Sequence, residues 1–228
     1  MNGTLALVGG AEWTEGCTFD AALVDGVDEV LVVPSALAYE NPAHAVARAT
    51  DWFATLGTSV RVLDVYRRAE ALATDVSVAA AARCIYVPGG SPMHLRSVLK
   101  DTALLDAMVT AWRRGATVAA SAESAAVLCS HMVDSRGGAF TVGLDLVTTM
   151  TVVPRANRWS PEKWHRTVEL APRGLPVVGI DEATALVHRP DGTWSVEGGG
   201  AVRVVVDGVT TDLTGLPASL NPLLDPVG

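Results

Sequence analysis

The sequence predicts an α/β fold of three layers, a doubly wound and mostly parallel sheet between helices, followed by a small C-terminal antiparallel meander. Three observations carry that reading. Short, wholly apolar runs alternate with helical stretches at the cadence of βαβ units. Those runs lack polar alternation, as expected where helices cover both faces of a sheet. From Pro176 onward the runs crowd together around Asp191-Gly192 and Asp207-Gly208, which are hairpin turn pairs.

The elements follow in order. Leu5–Val8 is a buried strand stopped by Gly9-Gly10, and Glu29–Val33 is a second stopped by Pro34. Residues 41–56 form a helix: Asn41 can cap it, Pro42 suits its first turn and Gly57 ends it. Val60–Val65 is a third strand, Ala69–Ala82 holds helical segments, and Cys84–Val87 is a fourth strand stopped by Pro88-Gly89-Gly90. Met93–Arg114 reads as helical, Thr117–Ala120 as a fifth strand, and the run ESAAVLCSHM as a helix starting at Ala122. Pro176–Ile180, Ala183–His188, Trp194–Glu197 and Ala201–Val206 are the meander strands. No repeat or linker interrupts residues 1–228, so one domain is expected; the Pro-rich tail, residues 216–228, is expected to be loosely ordered.

Composition narrows the function classes. The formal net charge is -8 and the basic residues are scattered, which argues against a nucleic-acid surface. Lysine occurs only at Lys100 and Lys163, a pattern of GC-rich coding. No apolar run reaches the roughly 18 residues that would span a membrane, and the N-terminus lacks the layout of a signal peptide. Cys17, Cys84 and Cys129 are odd in number and far apart, which argues against a disulfide framework or zinc knuckle and for a reducing cytoplasm. No cofactor or metal site is expected. A homodimer is carried as an expectation because symmetric pairs are common among such folds.

Ligands of open parallel sheets bind at the carboxyl ends of the strands. Three loops share that edge: Gly9-Gly10-Ala11-Glu12, Pro88-Gly89-Gly90-Ser91-Pro92 and Ala120-Ser121-Ala122-Glu123. Together with Gly143-Leu144-Asp145-Leu146, residues 179–186 (GIDEATAL) and the run from Gly200 to Gly208, these loops resemble the cyanophycinase and dipeptidase E family of serine peptidases. That family has a class I glutamine amidotransferase-like, flavodoxin-like fold, and the resemblance covers roughly residues 4 to 207.

The resemblance implies a site. Residues 119–124 (AASAES) match the nucleophile elbow G-x-S-A-G-A, making Ser121 the nucleophile and the N–H groups of Gly90 and Ala122 the oxyanion hole. Asp134 stands near the acidic partner of members that have one. Gly10, Glu12, Ser91, Arg155 and Trp159 are expected around the substrate, a small peptide, amide or carboxylate-bearing ligand. Three positions depart from the pattern. Arg155 stands where the catalytic histidine should be, and a guanidinium does not act as a general base. Glu123 stands where the elbow has glycine; it is either a plain first-turn residue or a weak base or ligand for a cation. Pro92 replaces a substrate-holding amide. His165 is the candidate replacement base, read otherwise as a surface helix residue, while His131 is too far along its helix. The tryptophans and arginines of residues 155–166 are either a solvated helix–loop or an aromatic, basic wall at the site. Two readings remain open: a divergent serine hydrolase acting through Ser121, and a pseudoenzyme that binds a small carboxylate ligand or a protein partner.

Overall fold

A computed structural model describes residues 2–224. Its main sheet has seven strands. Five run parallel: β1 (Leu5–Val8), β2 (Glu29–Val32), β3 (Ser59–Val62), β4 (Cys84–Val87) and β5 (Thr117–Ser121). The helices between them are α1 (Asp20–Leu23), α2 (Pro42–Thr55), α3 (Arg68–Ala73), α4 (Ser77–Ala81), α5 (Pro92–Leu99) and α6 (Ala103–Arg113). After β5 come α7 (Glu123–Val127), the hairpin β6 (His131–Val133) and β7 (Phe140–Val142), β8 (Thr151–Pro154) and α8 (Pro161–Leu170). The chain then forms β9 (Val177–Ile180), β10 (Thr184–His188), β11 (Trp194–Gly198), β12 (Val202–Val206) and β13 (Val209–Thr211).

The order of the main sheet is β11-β10-β1-β5-β4-β2-β3, in which β10 alone runs against the other strands and so pairs antiparallel with both β1 and β11. Alternate residues of its strands feed two cores. Leu5, Leu7, Ile85, Val87 and Val118 pack towards α5 and α6; Ala6, Val8, Tyr86 and Ala119 pack towards α2 through Ala49 and Phe53. This is the expected three-layer α/β architecture. The C-terminal strands divide, however. β10 and β11 extend the main sheet, whereas β13-β12-β9-β8 form a second sheet in which β9 and β8 are parallel.

Some local expectations are corrected. The helix predicted across Met93–Arg114 is two, because Asp101 turns left-handed (φ 55°) and the Thr102 hydroxyl caps a new helix by accepting the Leu105 N–H. Helix α7 stops at Val127, and His131 and Met132 pair with β7 as strand residues instead of continuing it. Cys129 is buried just beyond the helix. The tail is packed through Asn221, beyond which Leu223 is exposed. Leu216 and Leu220 are buried, Asn221 donates to the Asp145 carbonyl, and the carbonyls of Pro217 and Ala218 meet Trp194 and His188. The rest of the predicted loose tail, residues 225–228, lies outside the described residues. Among the described residues no helix is long and apolar enough to cross a membrane.

Candidate functional site

The carboxyl ends of β1, β5 and β4 are neighbours, with Val8 opposite Ser121 and Val87 opposite Ala120. Their loops gather strained backbone. Ala11, Trp13, Ala122, Arg155 and Ala183 all have φ between 51° and 61°, beside Gly10 at 121° and Gly90 at 152°. Positive φ at non-glycine residues costs energy and concentrates at functional corners.

The sharpest corner is Ala122, with φ 51° and ψ −129°, between the last residue of β5 and the first of α7. In a nucleophile elbow the attacking residue itself occupies that strained strand-to-helix turn. The structure therefore puts Ala122, not Ser121, at the elbow, and the expected register moves by one residue. The frame G-x-S-x-G then falls on Ala120-Ser121-Ala122-Glu123-Ser124. A steric signal for this was already in the sequence: this frame puts small residues at both close-packed flanks, whereas a frame on Ser121 puts Glu123 at one of them. Ser124 is fully buried, and its hydroxyl donates to the Pro88 carbonyl at 2.6 Å.

Ser121 is fully buried and faces the β1 loop, where its hydroxyl donates to Glu12 Oε2 at 2.7 Å. The other oxygen, Glu12 Oε1, accepts the Gly89 N–H at 3.2 Å. One carboxylate thus ties the first loop to the other two. The Ala122 N–H donates to the Val8 carbonyl at 2.8 Å, so it does not serve as the expected oxyanion donor. Two N–H groups suit that task better. Glu123 opens α7, where backbone donors lack intrahelical acceptors. Gly90 N–H has no hydrogen-bond partner among the described residues, and Ala36 crowds the same glycine so closely that an added methyl would lie 2.5 Å from its carbonyl oxygen.

Arg155 does stand in the site. Its backbone N–H donates to the Gly9 carbonyl, and its side chain lies over Gly10, 3.0 Å from where a methyl on that glycine would be. Its guanidinium faces Glu123 at 3.6 Å, and Ala122 is wholly covered. A Glu–Arg pair thus occupies the space beside the elbow.

Other expected residues lie elsewhere. His165 is exposed on α8, paired with Glu169, and does not line the cleft. Asp134 caps the β6–β7 turn, where the Arg136 side chain forks onto it and holds its carboxyl below the usual carboxylate range. Trp159 packs under Lys163, Trp164 covers Gly179, and Arg158 pairs with Glu182, so only Arg155 of that segment's aromatic and basic residues faces the site. Ser91 precedes α5 and donates its N–H to the Ala36 carbonyl.

The sequence reading missed the outer wall. The cleft, of about 600 Å³, is closed by α2 and its approach: Glu40, His44 and Arg48 face Glu12, Glu123, Arg155 and Glu182. It also missed Asp20. This carboxyl lies beneath the first loop, fully buried, accepting one hydrogen bond from Trp52 at 2.9 Å while its second oxygen has no partner. Burial pushes it up to about 7 against the Trp52 hydrogen bond, and the nearby charge of Glu12 adds to the rise. Among the described residues no cluster of three or more His, Cys, Asp or Glu is arranged to hold a metal ion.

Comparison with known proteins gives the family and the fold. The model of peptidase family S51 matches residues 9–195. A cyanophycinase from Nostoc sp. (strain PCC 7120 / SAG 25.82 / UTEX 2576) is 28% identical over 189 residues, covering 77% of this chain and 62% of the relative, so the match spans about three-fifths of that protein. The crystal structure of a peptidase from an acI-B1 actinobacterium superposes with a TM-score of 0.82 at 26% identity, covering 92% of this chain and 93% of the other. A candidate peptidase E from Listeria monocytogenes EGD-e, 17% identical with a TM-score of 0.65 over 88% of this chain and 100% of its own, shares the fold.

Proposed function

Because the chain belongs to peptidase family S51, we propose that it is a member that binds a small peptide-like molecule without serine hydrolysis. The observation that carries this is Ala122 at the elbow. Serine-peptidase chemistry needs a hydroxyl on that corner and a base beside it. Here the corner carries a methyl group, and the side chain above it is Arg155. Losing the members of such a triad costs on the order of 10⁴ to 10⁶ in rate.

The rest of the cleft suits retention of a ligand. The Gly90 N–H and the guanidiniums of Arg155 and Arg48 can meet a carboxylate or carbonyl, while Glu12, Glu40, Glu123 and Glu182 can meet an amine. A zwitterion bearing both groups matches that lining better than a simple anion does. The buried free thiols of Cys17, Cys84 and Cys129 favour a reducing compartment such as the cytoplasm as its place of work.

One contact favours the hydrolytic reading: the 2.7 Å hydrogen bond from Ser121 to Glu12, which pairs a hydroxyl with a carboxylate. Intact-mass spectrometry after fluorophosphonate treatment separates the two. The wild type should stay unlabelled, as should Ser121→Ala. Stoichiometric labelling of the wild type that disappears in Ser121→Ala would overturn the proposal and make Ser121 the nucleophile.

A further inference from the structure

We propose that β11, the outer strand of the main sheet, is the seam of a homodimer in which two copies pair antiparallel about Val196 and their sheets become one.

The main-chain directions of β11 follow from its register. The Arg189 N–H donates to the Thr193 carbonyl and the Gly199 N–H to the Ala183 carbonyl, so the odd-numbered pairs between them are the hydrogen-bonded pairs of this ladder. Trp194, Val196 and Gly198 fall between those pairs. Their N–H and C=O groups point away from β10, and among the described residues no main-chain group pairs with those of Val196.

A row of unpaired main-chain groups invites another strand, and native sheets blunt their edges with charge, proline or shortness. Among the described residues the other edges of the two larger sheets are blunted. β3 carries the exposed Arg61, β13 has three residues, and β8 is buried and ends in Pro154. β11 has five residues and no proline. Its one charge, Glu197, is tied to Arg189 of its own chain, and the Ser195 hydroxyl donates to the same carboxylate oxygen. Val196 is 39% exposed, and Gly198, Gly199 and Gly200 continue the edge without a side chain to stand in a partner's way.

The occupant is a second copy because β11 is its own complement in one register. With Val196 opposite Val196 of the second copy, Trp194 lies opposite Gly198 and Ser195 opposite Glu197. Residues with outward main chains then meet each other and exchange hydrogen bonds in pairs. A large ring meets a glycine, a hydroxyl meets a carboxylate, and the two exposed valines bury each other. Outward groups recur at every second residue, so the competing registers lie two residues away. A shift one way sets Glu197 against Glu197, which is destabilising, and a shift the other way puts Gly198 opposite the turn at Gly192.

The test is sedimentation of the whole chain over about 1 to 100 µM, a range in which mass action drives association, read beside hydrogen exchange by mass spectrometry. The wild type should sediment at twice the mass of one chain at the upper concentrations, and exchange across residues 194–198 should slow as it does. Val196→Pro removes the donors on the two-fold axis. A proline whose nitrogen faces solvent is tolerated on an edge strand, so the melting temperature should hold while association weakens at least about tenfold. Val196→Lys, which sets like charges face to face and leaves the main chain intact, should do the same. Ser195→Pro removes a hydrogen bond to β10 instead and should lower the melting temperature; no change there would overturn the assignment of the outward groups and the seam with it. A wild type that stays monomeric at about 100 µM, a dimer that survives both Val196 variants, or a dimer whose residues 194–198 exchange at an unchanged rate would also overturn the proposal.

Discussion

Ala122 holds a backbone conformation that costs a non-glycine residue about 1–3 kcal/mol, yet it has no hydroxyl to aim. What the corner still does is present the N–H groups and side chains around it. Glu12 is central to that, since its two oxygens accept from Ser121 and from Gly89. In Glu12→Gln one acceptor becomes an amide donor facing a donor. The expected cost is about 1–2 kcal/mol, or a fall of about 2–8 °C in melting temperature for a chain of this size, read by calorimetry. Asp20 gives a pH signature. Its carboxyl titrates near 7 in the folded protein and near 4 in an unfolded chain. Between those values the folded state holds the extra proton, so stability is greatest at low pH and is lost as pH rises through 7. Urea unfolding should show the wild type losing about 2–3 kcal/mol more than Asp20→Asn between pH 5 and pH 8. Equal losses in the two proteins would show that Asp20 does not control this slope.

At the level of elements, the C-terminal segment behaves as part of the core. Leu220 is 2% exposed among Leu5, Leu144 and Leu146, so Leu220→Ala should cost about 2–4 kcal/mol in chemical denaturation. A loose tail would lose almost nothing. This element was hidden because its prolines and small residues read as a linker, while its anchoring comes from partners more than 20 residues away, such as Trp194 and Asp145. The parallel strands were legible because burial on both faces makes them apolar throughout. Thr102 and Asp106 also signal the start of α6 in the sequence, but a continuous apolar pattern on either side masked the break. The run after Ala122 has a helical pattern that tertiary pairing overrides: His131–Val133 finds a partner in Phe140–Val142. The elbow's three loops were legible from their glycines and prolines. Its register was not, because Ser121 supplies the expected atom while backbone angles alone reveal which residue turns the corner.

Across the whole molecule, the two sheets meet at Gly9-Gly10. Gly9 donates to Thr184 of β10, its carbonyl accepts from Arg155 after β8, and the Gly10 carbonyl accepts from Ala183. A methyl on Gly9 would sit 2.0 Å from the Asp181 carbonyl oxygen, against backbone that has nowhere to retreat. Gly9→Ala should therefore destabilise by more than about 4 kcal/mol, seen as loss of a cooperative melt, whereas a native-like melt would show that the junction yields. The same junction sets a timetable for synthesis. β1 lies inside the sheet, yet one of its two neighbours, β10, pairs His188 with Leu5 across some 180 residues of chain. At ribosomal speeds of about 5–20 residues per second, that partner arrives on the order of ten to forty seconds after β1 itself. Through that interval one side of β1 has no strand to close it, and the loop bearing Glu12 lacks the bonds that Arg155 and Ala183 later give its glycines. The nascent protein thus acquires its cleft only after β10 has been made, and a chaperone that shields Leu5–Val8 would act at the step where a half-made chain is most exposed to wrong partners.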